Sequence, residues 1–311
     1  MKLIKTISQM QKEVRRLRRA GKSVGFVPTM GALHEGHLSL VRASNQENDV
    51  TVVSIFVNPL QFGPKEDLKK YPRPLKKDLA LLKKEKVDFV FLPSAEEMYP
   101  KKQKTGDRRQ GTEDGRRKTE DRGQGIGSQK HKLSAELKRM MKPLCGKFRP
   151  GHFQGVITVV ARLFEIVDPN QAYFGAKDYQ QAKIIKKMNQ EFGFGIKIQI
   201  LPTVREEDGL AMSSRNQYLN PEERQRARAI SQILLGIEAA LIAKRIKIPQ
   251  VLKWAHRELS RFVDKIQYLE IVDPKTLKSI SKLQAKMLIA AACYVGKTRL
   301  IDNVIITPSK L

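Results

Sequence analysis

Two histidines three residues apart, His34 and His37, are the first side chains in the sequence whose type and spacing suit them to chemistry. With Gly36 they form the pattern His-x-Gly-His. Residues three apart lie on one face of a helix, so both imidazoles would share its first turn. That turn carries free backbone N–H groups and the positive end of the helix dipole. The pattern predicts an anion site suited to phosphate, to which the histidines add hydrogen-bond donors.

Two other interpretations of the histidines stay open on this stretch alone. One is a metal-binding pair, which lacks a Cys, Asp or third His nearby at ligand spacing. The other is a pair of solvated residues on a helix surface. The apolar run at residues 24–27, the break at Pro28 and the following Gly31 favour the phosphate interpretation, because a strand, a loop and a helix N-terminus together make a phosphate cradle.

Four further groups of polar residues follow predicted strands or lie in loops. Ser213, Ser214 and Arg215 offer several donors to phosphate oxygens, although a plain N-cap turn before the helix near residue 221 explains the same residues. The remaining groups are Asn58 and Gln61 in the loop 58–63, Arg149 and His152 in the loop 144–155, and Lys177, Asp178 and Gln181 at a helix start.

These residues need a scaffold, and the first two thirds of the chain supply one by alternating predicted strands with predicted helices. Such alternation predicts an α/β fold with a doubly wound parallel sheet and right-handed crossovers. Ligands of these sheets bind beyond the carboxyl ends of the strands, where the polar residues above lie. The predicted strands are residues 24–27, 49–57, 87–92, 172–175 and 196–204, and the predicted helices are residues 7–19, 75–85 and 153–167.

Beyond residue 203 the pattern changes to helices at 221–243 and 249–262, followed by strands at 268–272, 287–294 and 304–307. We therefore predict a first domain at residues 1–203 and a second, smaller α+β domain at residues 204–311. Residues 101–132 interrupt the first domain with a basic, glycine-rich stretch that has no aromatic residue. It has little to bury, so we predict a disordered surface insertion, with a nucleic-acid-binding arm as the alternative.

The overall composition limits the classes of protein to which the chain can belong. The net charge of +27 suggests a polyanion, but the basic residues are spread along the chain and no zinc-finger or RNA-binding signature accompanies them, so we expect no nucleic-acid partner. No apolar run approaches the roughly 20 residues that span a bilayer, so no membrane association is expected. The first residues lack a signal-peptide core, and two cysteines are too few for a disulfide framework. We therefore expect a cytoplasmic protein.

Five ordered segments resemble the pantoate–β-alanine ligase (pantothenate synthetase) family, which belongs to the His-x-Gly-His nucleotidyltransferases. The resemblance covers nearly the whole chain apart from the insertion. It implies a Rossmann-like first domain and a homodimer. We also expect the second domain to act as a lid that closes by a hinge when ATP binds. The segments are residues 27–37, 56–62, 149–153, 173–181, and 202–205 with 212–216.

The resemblance implies an AMP-forming acid–amine ligase of pantothenate biosynthesis. Pantoate would attack the α-phosphate of ATP, with Mg²⁺, to give pantoyl adenylate and pyrophosphate, and the amine of β-alanine would then release AMP and pantothenate. Another His-x-Gly-His adenylyltransferase, or a tRNA synthetase-like protein, is the alternative. The latter would need a Lys-Met-Ser-Lys-Ser-like loop, which residues 212–215 match only in part.

The same resemblance implies roles for individual residues. His37 would act in catalysis as proton donor or phosphate stabiliser. Gln61 and Gln181 would bind the pantoate hydroxyls, with Asn58 nearby and Arg149 and His152 as further substrate contacts. ATP would be contacted by residues of three segments: Met30, Gly31, His34, Gly36 and His37; Gly175, Lys177 and Asp178 near the phosphates and ribose; and Val204, Met212, Ser213, Ser214 and Arg215.

Two departures from the family pattern affect these expectations. The insertion 101–132 stands where relatives have a shorter connection close to the substrates, so reduced activity is expected. Lys76 and Lys77 precede Asp78 where relatives often carry consecutive acidic residues. The ligands of Mg²⁺ are therefore left unassigned.

Overall fold

A computed structural model of the chain describes residues 1–64, 66–100, 132–243 and 246–307. The predicted disordered insertion lies outside these residues, except for Lys132. Within the described part the chain forms a six-stranded sheet and a three-stranded sheet. No helix there combines the length and the apolar character needed to cross a bilayer.

The six-stranded sheet is parallel throughout and has the order β1-β4-β3-β2-β5-β6. The predicted α/β fold with a doubly wound parallel sheet is thereby confirmed. The chain proceeds from β2 through β3 to β4 on one side and from β5 to β6 on the other, so the order reverses between β2 and β5. The strands are β1 Lys2–Ile4, β2 Val24–Thr29, β3 Val50–Ile55, β4 Phe89–Phe91, β5 Gln171–Gly175 and β6 Lys197–Leu201.

The reversal creates a crevice at the carboxyl edge of the sheet, which is where ligands bind in folds of this kind. The segments after β2, β3, β5 and β6 all open onto that edge because the strands are parallel. Helices cover the two faces. In the first part of the chain they are α1 Ile7–Arg19, α2 Glu35–Glu47, α3 Leu75–Lys84, α4 Ala95–Met98, α5 Ala135–Met140, α6 Cys145–Phe148, α7 His152–Val167 and α8 Tyr179–Glu191.

Local sequence explains where these helices begin and which face they bury. The hydroxyl of Thr6 accepts a hydrogen bond from the Gln9 N–H and caps α1, and Met10, Val14 and Leu17 form its buried stripe. Helix α7 is apolar on nearly every side and is buried along most of its length. A helix apolar all round belongs in the interior of a protein.

The smaller sheet is antiparallel and contains β7 Lys265–Val272, β8 Met287–Val295 and β9 Thr298–Ile306. Helices α9 Pro221–Ile242 and α10 Ile248–Leu259 pack against it. Asn220 and Glu223 form a capping box at the start of α9. This arrangement confirms the predicted smaller α+β element, while the division of the chain at residue 203 stays a prediction.

Two strands differ most from the sequence-based expectation, while β4, β6 and β7 differ from it only at their ends. Strand β1 was not expected, because three residues at a sheet edge are too short to give a periodic pattern. Strand β9 begins at Thr298 rather than at residue 304. Arg299, Asp302 and Asn303 interrupt the apolar pattern there, although Asp302 and Asn303 are buried.

Candidate active site

The turn between β2 and α2, residues 30–37, is called the histidine turn here, and a buried carboxylate determines its shape. Both oxygens of Asp78 accept backbone hydrogen bonds, from the N–H of Ala32 and of Leu33, each at 2.9 Å. Gly31 adopts a φ of +79°, which favours glycine. The Asp78 side chain is 1% exposed. It therefore holds the turn and does not face the crevice as a metal ligand.

The two histidines lie at the start of α2 with their ring centroids 4.1 Å apart. The His34 N–H donates to Nδ1 of His37 over 3.4 Å, so the proton of a neutral His37 ring belongs on Nε2. Burial, with a contribution from His34, lowers the pKa of His37 to about 3. Burial and the charge of Lys177 lower the pKa of His34 to about 4. Both rings are neutral near pH 7, and His37 presents a hydrogen-bond donor.

A second wall is the lysine turn, residues 176–181, which joins β5 to α8. Its 3₁₀ turn Ala176–Asp178 lies across the reversal point from the histidine turn. The Lys177 ammonium is 3.7 Å from the Asp178 carboxylate. Burial alone would raise the pKa of Asp178, but Lys177, Arg215 and other cations lower it overall, so this carboxylate is ionised at neutral pH.

A third wall is the serine loop, residues 212–216. The Met212 N–H bonds the Val204 carbonyl at 3.0 Å, and the Ser214 hydroxyl lies 3.1 Å from the Tyr71 hydroxyl. The Arg215 guanidinium donates to both oxygens of Asp67 at 2.9 and 2.8 Å. Arg215, which was predicted to contact phosphate, is thus paired with the Asp67 carboxylate in this structure.

The far end of the crevice is built around Gln61, in the 3₁₀ turn Pro59–Gln61 after β3. Asn58 is fully buried, and its amide donates to Oε1 of Gln61 at 3.2 Å and to the Gly155 carbonyl at 3.1 Å. Its own Oδ1 accepts from the Tyr99 hydroxyl at 2.9 Å. The polar groups of Asn58 are therefore engaged in holding Gln61, while Nε2 of Gln61 lies 2.9 Å from the Met30 sulfur.

Arg149 and His152 support the same glutamine, Gln61, through its backbone. Arg149 pairs with Glu66 at 2.6 and 2.7 Å and lies 2.9 Å from Nε2 of His152. A guanidinium only donates, so Nε2 accepts and Nδ1 carries the proton that is given to the Gln61 carbonyl at 2.9 Å. Burial and the charge of Arg149 lower the pKa of His152 to about 4. Both residues were predicted as substrate contacts, and here they orient the Gln61 backbone.

The three walls and the glutamine end enclose a cavity of about 220 Å³. A smaller cavity of about 40 Å³ adjoins it and is lined by Arg149, His152 and Gln181. Gly31 is not among the residues that line the larger cavity. The predicted residues that line that cavity are Met30, His34, Gly36, His37, Asn58, Gln61, Gly175, Lys177, Asp178, Gln181, Val204, Met212, Ser213, Ser214 and Arg215.

Sequence reasoning overlooked the residues that hold the walls in place. Asp67 and Tyr71 restrain the serine loop, and Asp302 and Asn303 bind the loops from the second sheet. The signal for the last two was a pair of polar residues inside an otherwise apolar run. No group of three or more His, Cys, Asp or Glu side chains in the described ranges is arranged to hold a metal ion.

Comparison with known proteins gives consistent matches over nearly the full chain. The family model of pantoate-beta-alanine ligase matches residues 2–305. The pantothenate synthetase of Sulfurihydrogenibium sp. (strain YO3AOP1) is 47% identical over 307 residues, which cover 98% of this chain and 99% of that protein. The pantothenate synthetase of Thermotoga neapolitana is also 47% identical over 307 residues, covering 98% of this chain and 100% of that protein.

Solved structures agree. The crystal structure of pantothenate synthetase from Thermus thermophilus has a TM-score of 0.82 and 40% identity, covering 98% of this chain and 99% of that chain. That of pantoate-beta-alanine ligase from Francisella tularensis, complexed with beta-gamma ATP and beta-alanine, has a TM-score of 0.74 and 34% identity, covering 99% of this chain and 100% of that chain.

A doubly wound sheet with a His-x-Gly-His turn beside its reversal point defines the class of nucleotide-binding α/β proteins. Within that class the matches are specific, because they extend over both sheets and reach 47% identity. The chain belongs to the pantoate–β-alanine ligase family.

Proposed function

We propose that the protein condenses pantoate with β-alanine, using ATP as co-substrate, to form pantothenate, AMP and pyrophosphate. The observation that carries the proposal is the convergence of three walls that carry candidate phosphate donors, and of two glutamines, Gln61 and Gln181, on one cavity. Family membership supports the same reaction. Two carboxamides that line one cavity suit a substrate with hydroxyl groups, since each amide both donates and accepts.

In the first step the pantoate carboxylate attacks the α-phosphorus of ATP and pyrophosphate leaves. Charge builds on the phosphate oxygens, so catalysis depends on positioned donors rather than on a protein nucleophile. We assign that work to Nε2–H of His37, the Lys177 ammonium and the hydroxyls of Ser213 and Ser214. The free N–H groups at the start of α2 add to it.

Arg215 must exchange partners in this proposal. Its guanidinium is held by Asp67, and the phosphates would compete for the same donors. The serine loop therefore binds nucleotide by exchanging the Asp67 carboxylate for a phosphate as the partner of Arg215. This exchange makes the loop responsive to the charge of the nucleotide.

Mg²⁺ belongs to the proposal as part of the substrate. Among the described residues no three-ligand group offers a resident site, and Asp78 is committed to the histidine turn. Mg²⁺ keeps several waters and is commonly bound through the phosphates of its nucleotide. We propose that it enters as the Mg–ATP complex.

In the second step the amine of β-alanine attacks the acyl carbon of pantoyl adenylate and AMP leaves. An acyl adenylate hydrolyses if water reaches it, so the site must exclude water while the amine enters. We propose that residues 204–311 act as a lid for this purpose. We also propose that the protein is a homodimer and that it acts in the cytoplasm. Its two cysteines are both free and buried, which suits a reducing compartment.

ATP–pyrophosphate exchange tests the function directly. Exchange should require pantoate, proceed without β-alanine and fall at least about 100-fold in His37→Ala, the usual loss for one transition-state donor. His256→Ala, which removes an exposed histidine on α10, serves as the control and should match the parent protein. Exchange that depends on an amino acid instead of pantoate would refute the proposal in favour of a synthetase-like activity.

A further inference from the structure

Two adjacent polar residues of the second sheet, Asp302 and Asn303 on β9, are only 4% and 7% exposed. Buried polar side chains are stable only when their hydrogen bonds are satisfied. Apart from the Asn303 N–H, which donates to Asp302, the partners of these side chains lie outside the second sheet. They lie in the lysine turn and in the segment that leads into the serine loop.

Asn303 binds the lysine turn. Its side-chain amide donates to the carbonyl of Ala176 at 2.9 Å and to the carbonyl of Lys177 at 2.8 Å. An amide has two N–H donors, so the donor capacity of this side chain is fully used on two consecutive peptide groups. The backbone from which the Lys177 side chain projects is thereby fixed.

Asp302 binds the segment that leads into the serine loop. Its carboxylate accepts from Arg205 at 2.7 and 3.1 Å and from the N–H of Asn303 at 2.7 Å. Arg205 also donates to the Gly209 carbonyl at 3.1 Å and pairs with Ala211 in an antiparallel bridge. The hairpin that delivers the serine loop is thus tied to β9.

We propose that Asp302 and Asn303 are positioning residues for ATP: from one strand they set the spacing between the lysine turn and the serine loop. They act through Lys177 and the serine loop and need no contact with ATP themselves. A fixed spacing matters because donors that are already in place lose no free energy to reorganisation when charge develops. This inference rests on the proposed function for the identity of the ligand.

The test is Asn303→Ala, measured on the full chain by titration with Mg–ATP and by ATP–pyrophosphate exchange. We expect the Kd and the KM for ATP to rise about tenfold, while the KM for pantoate stays within about twofold. A purely structural role would not separate the two substrates. Thermal unfolding of the variant establishes that the protein titrated is folded.

Asn189→Ala is the matched control. Asn189 is also 7% exposed, and its amide makes two backbone hydrogen bonds to Ile196, at 2.8 and 3.2 Å. It lies outside the residues that line the nucleotide cavity. Its removal should lower the Tm as Asn303→Ala does and leave the Kd for ATP within about twofold of the parent value.

An ATP Kd within about twofold of the parent in folded Asn303→Ala, or an equal rise in Asn189→Ala, would overturn the inference. If Asn303→Ala does not fold, Asp302→Asn decides by the same criteria, because it keeps the side chain's size and removes the charge and one of the two acceptor oxygens paired with Arg205. Titration with Mg–ATP measures binding and does not require the enzyme to turn over. Absence of pantoate-dependent exchange in the parent protein would therefore reject the proposed function without deciding the positioning role.

Discussion

The histidine turn and the serine loop face each other across one cavity, but they are held in different ways. The turn is fixed by backbone hydrogen bonds to the Asp78 carboxylate, which is 1% exposed. The loop is held by the Arg215–Asp67 ion pair, whose side chains are 26% and 25% exposed, and by the Tyr71–Ser214 hydroxyl contact. The backbone at the base of the loop is fixed by the Arg205–Asp302 pair and by the Met212 N–H bond to Val204. The Arg215 side chain, in contrast, is held by an ion pair that an anion can replace.

This difference separates two tasks of a nucleotide site. A preformed cradle loses nothing to reorganisation as charge develops, whereas a loop that binds and releases product must come from the less stable parts of a fold. Buried backbone partners are costly to remove. Partly exposed ion pairs typically contribute only about 0–1 kcal/mol. Perturbing the two walls should therefore give effects of different size and kind.

The largest effect is expected from Asp78→Ala. It leaves the N–H groups of Ala32 and Leu33 without acceptors, at roughly 1–3 kcal/mol each, and it releases the histidine turn. The free energy of unfolding should fall by about 3 kcal/mol, and the ATP Kd should rise at least about tenfold. Chemical denaturation and titration measure the two.

Asp88→Ala is the control for that variant. Asp88 also caps a backbone N–H with its carboxylate, that of Thr51 at 2.8 Å, but it precedes β4 at the opposite edge of the sheet. It should lose stability and keep its affinity for ATP. An unchanged ATP Kd in Asp78→Ala would show that the turn does not depend on its buried carboxylate.

A smaller effect for each group is expected from lowering the pH. Burial first, and neighbouring cations or histidine second, lower the pKa values of His34, His37 and His152 to about 4, 3 and 4, whereas an unfolded histidine titrates near 6.5. Between these values the unfolded chain binds more protons, so the free energy of unfolding falls as the pH drops below about 6.5. At pH 5.5 each histidine should cost roughly 1 kcal/mol relative to neutral pH.

Two of these three histidines belong to the histidine turn, the third contacts the Gln61 backbone, and none belongs to the serine loop. Most of this pH dependence is therefore a property of the preformed wall. Thermal unfolding at pH 7.5 and 5.5 measures it. In His34→Gln, which keeps a polar side chain without the titration, the decrease in Tm should be smaller. An equal decrease in parent and variant would place the pH dependence elsewhere in the molecule.

The smallest effect is expected from Asp67→Asn. Removing this charge releases the Arg215 guanidinium and also removes an anion that repels phosphate, so the ATP Kd should fall about threefold while the Tm changes little. Asp49→Asn removes an exposed carboxylate paired with Lys22 at 3.1 Å and serves as the charge control. A rise in the ATP Kd for Asp67→Asn would mean that Asp67 orients Arg215 rather than competes for it.

Much of the fold was predictable because the apolar residues of its buried strands form recognisable runs in the sequence. The run at residues 49–57 is nearly all β-branched or apolar, as expected for a strand covered on both faces. Alternation with helices then required a parallel sheet and directed the polar residues to one edge. For that reason residues from five separate segments were expected in one site before any contact was known.

The supporting contacts were not predictable, because they join residues far apart in the chain. Asp67 meets Arg215, and Asp302 meets Arg205, across 148 and 97 positions. Arg149 and His152 had the polarity of substrate contacts, and only the structure reveals that their donors are used on Glu66 and on the Gln61 backbone. Periodicity predicts which face a residue occupies and carries no information about its partner.

The packing between the two sheets also limits how the site can close. Tyr268 and Leu288 of the smaller sheet belong to the same hydrophobic core as Phe164 of α7, and the Tyr268 hydroxyl lies 3.2 Å from the Cys145 sulfur. A wide hinge opening would return this apolar surface to water, at about 25 cal/mol for each Å². If residues 204–311 act as the proposed lid, we therefore expect closure over the nucleotide to be a short shear of these packed surfaces rather than a wide hinge motion.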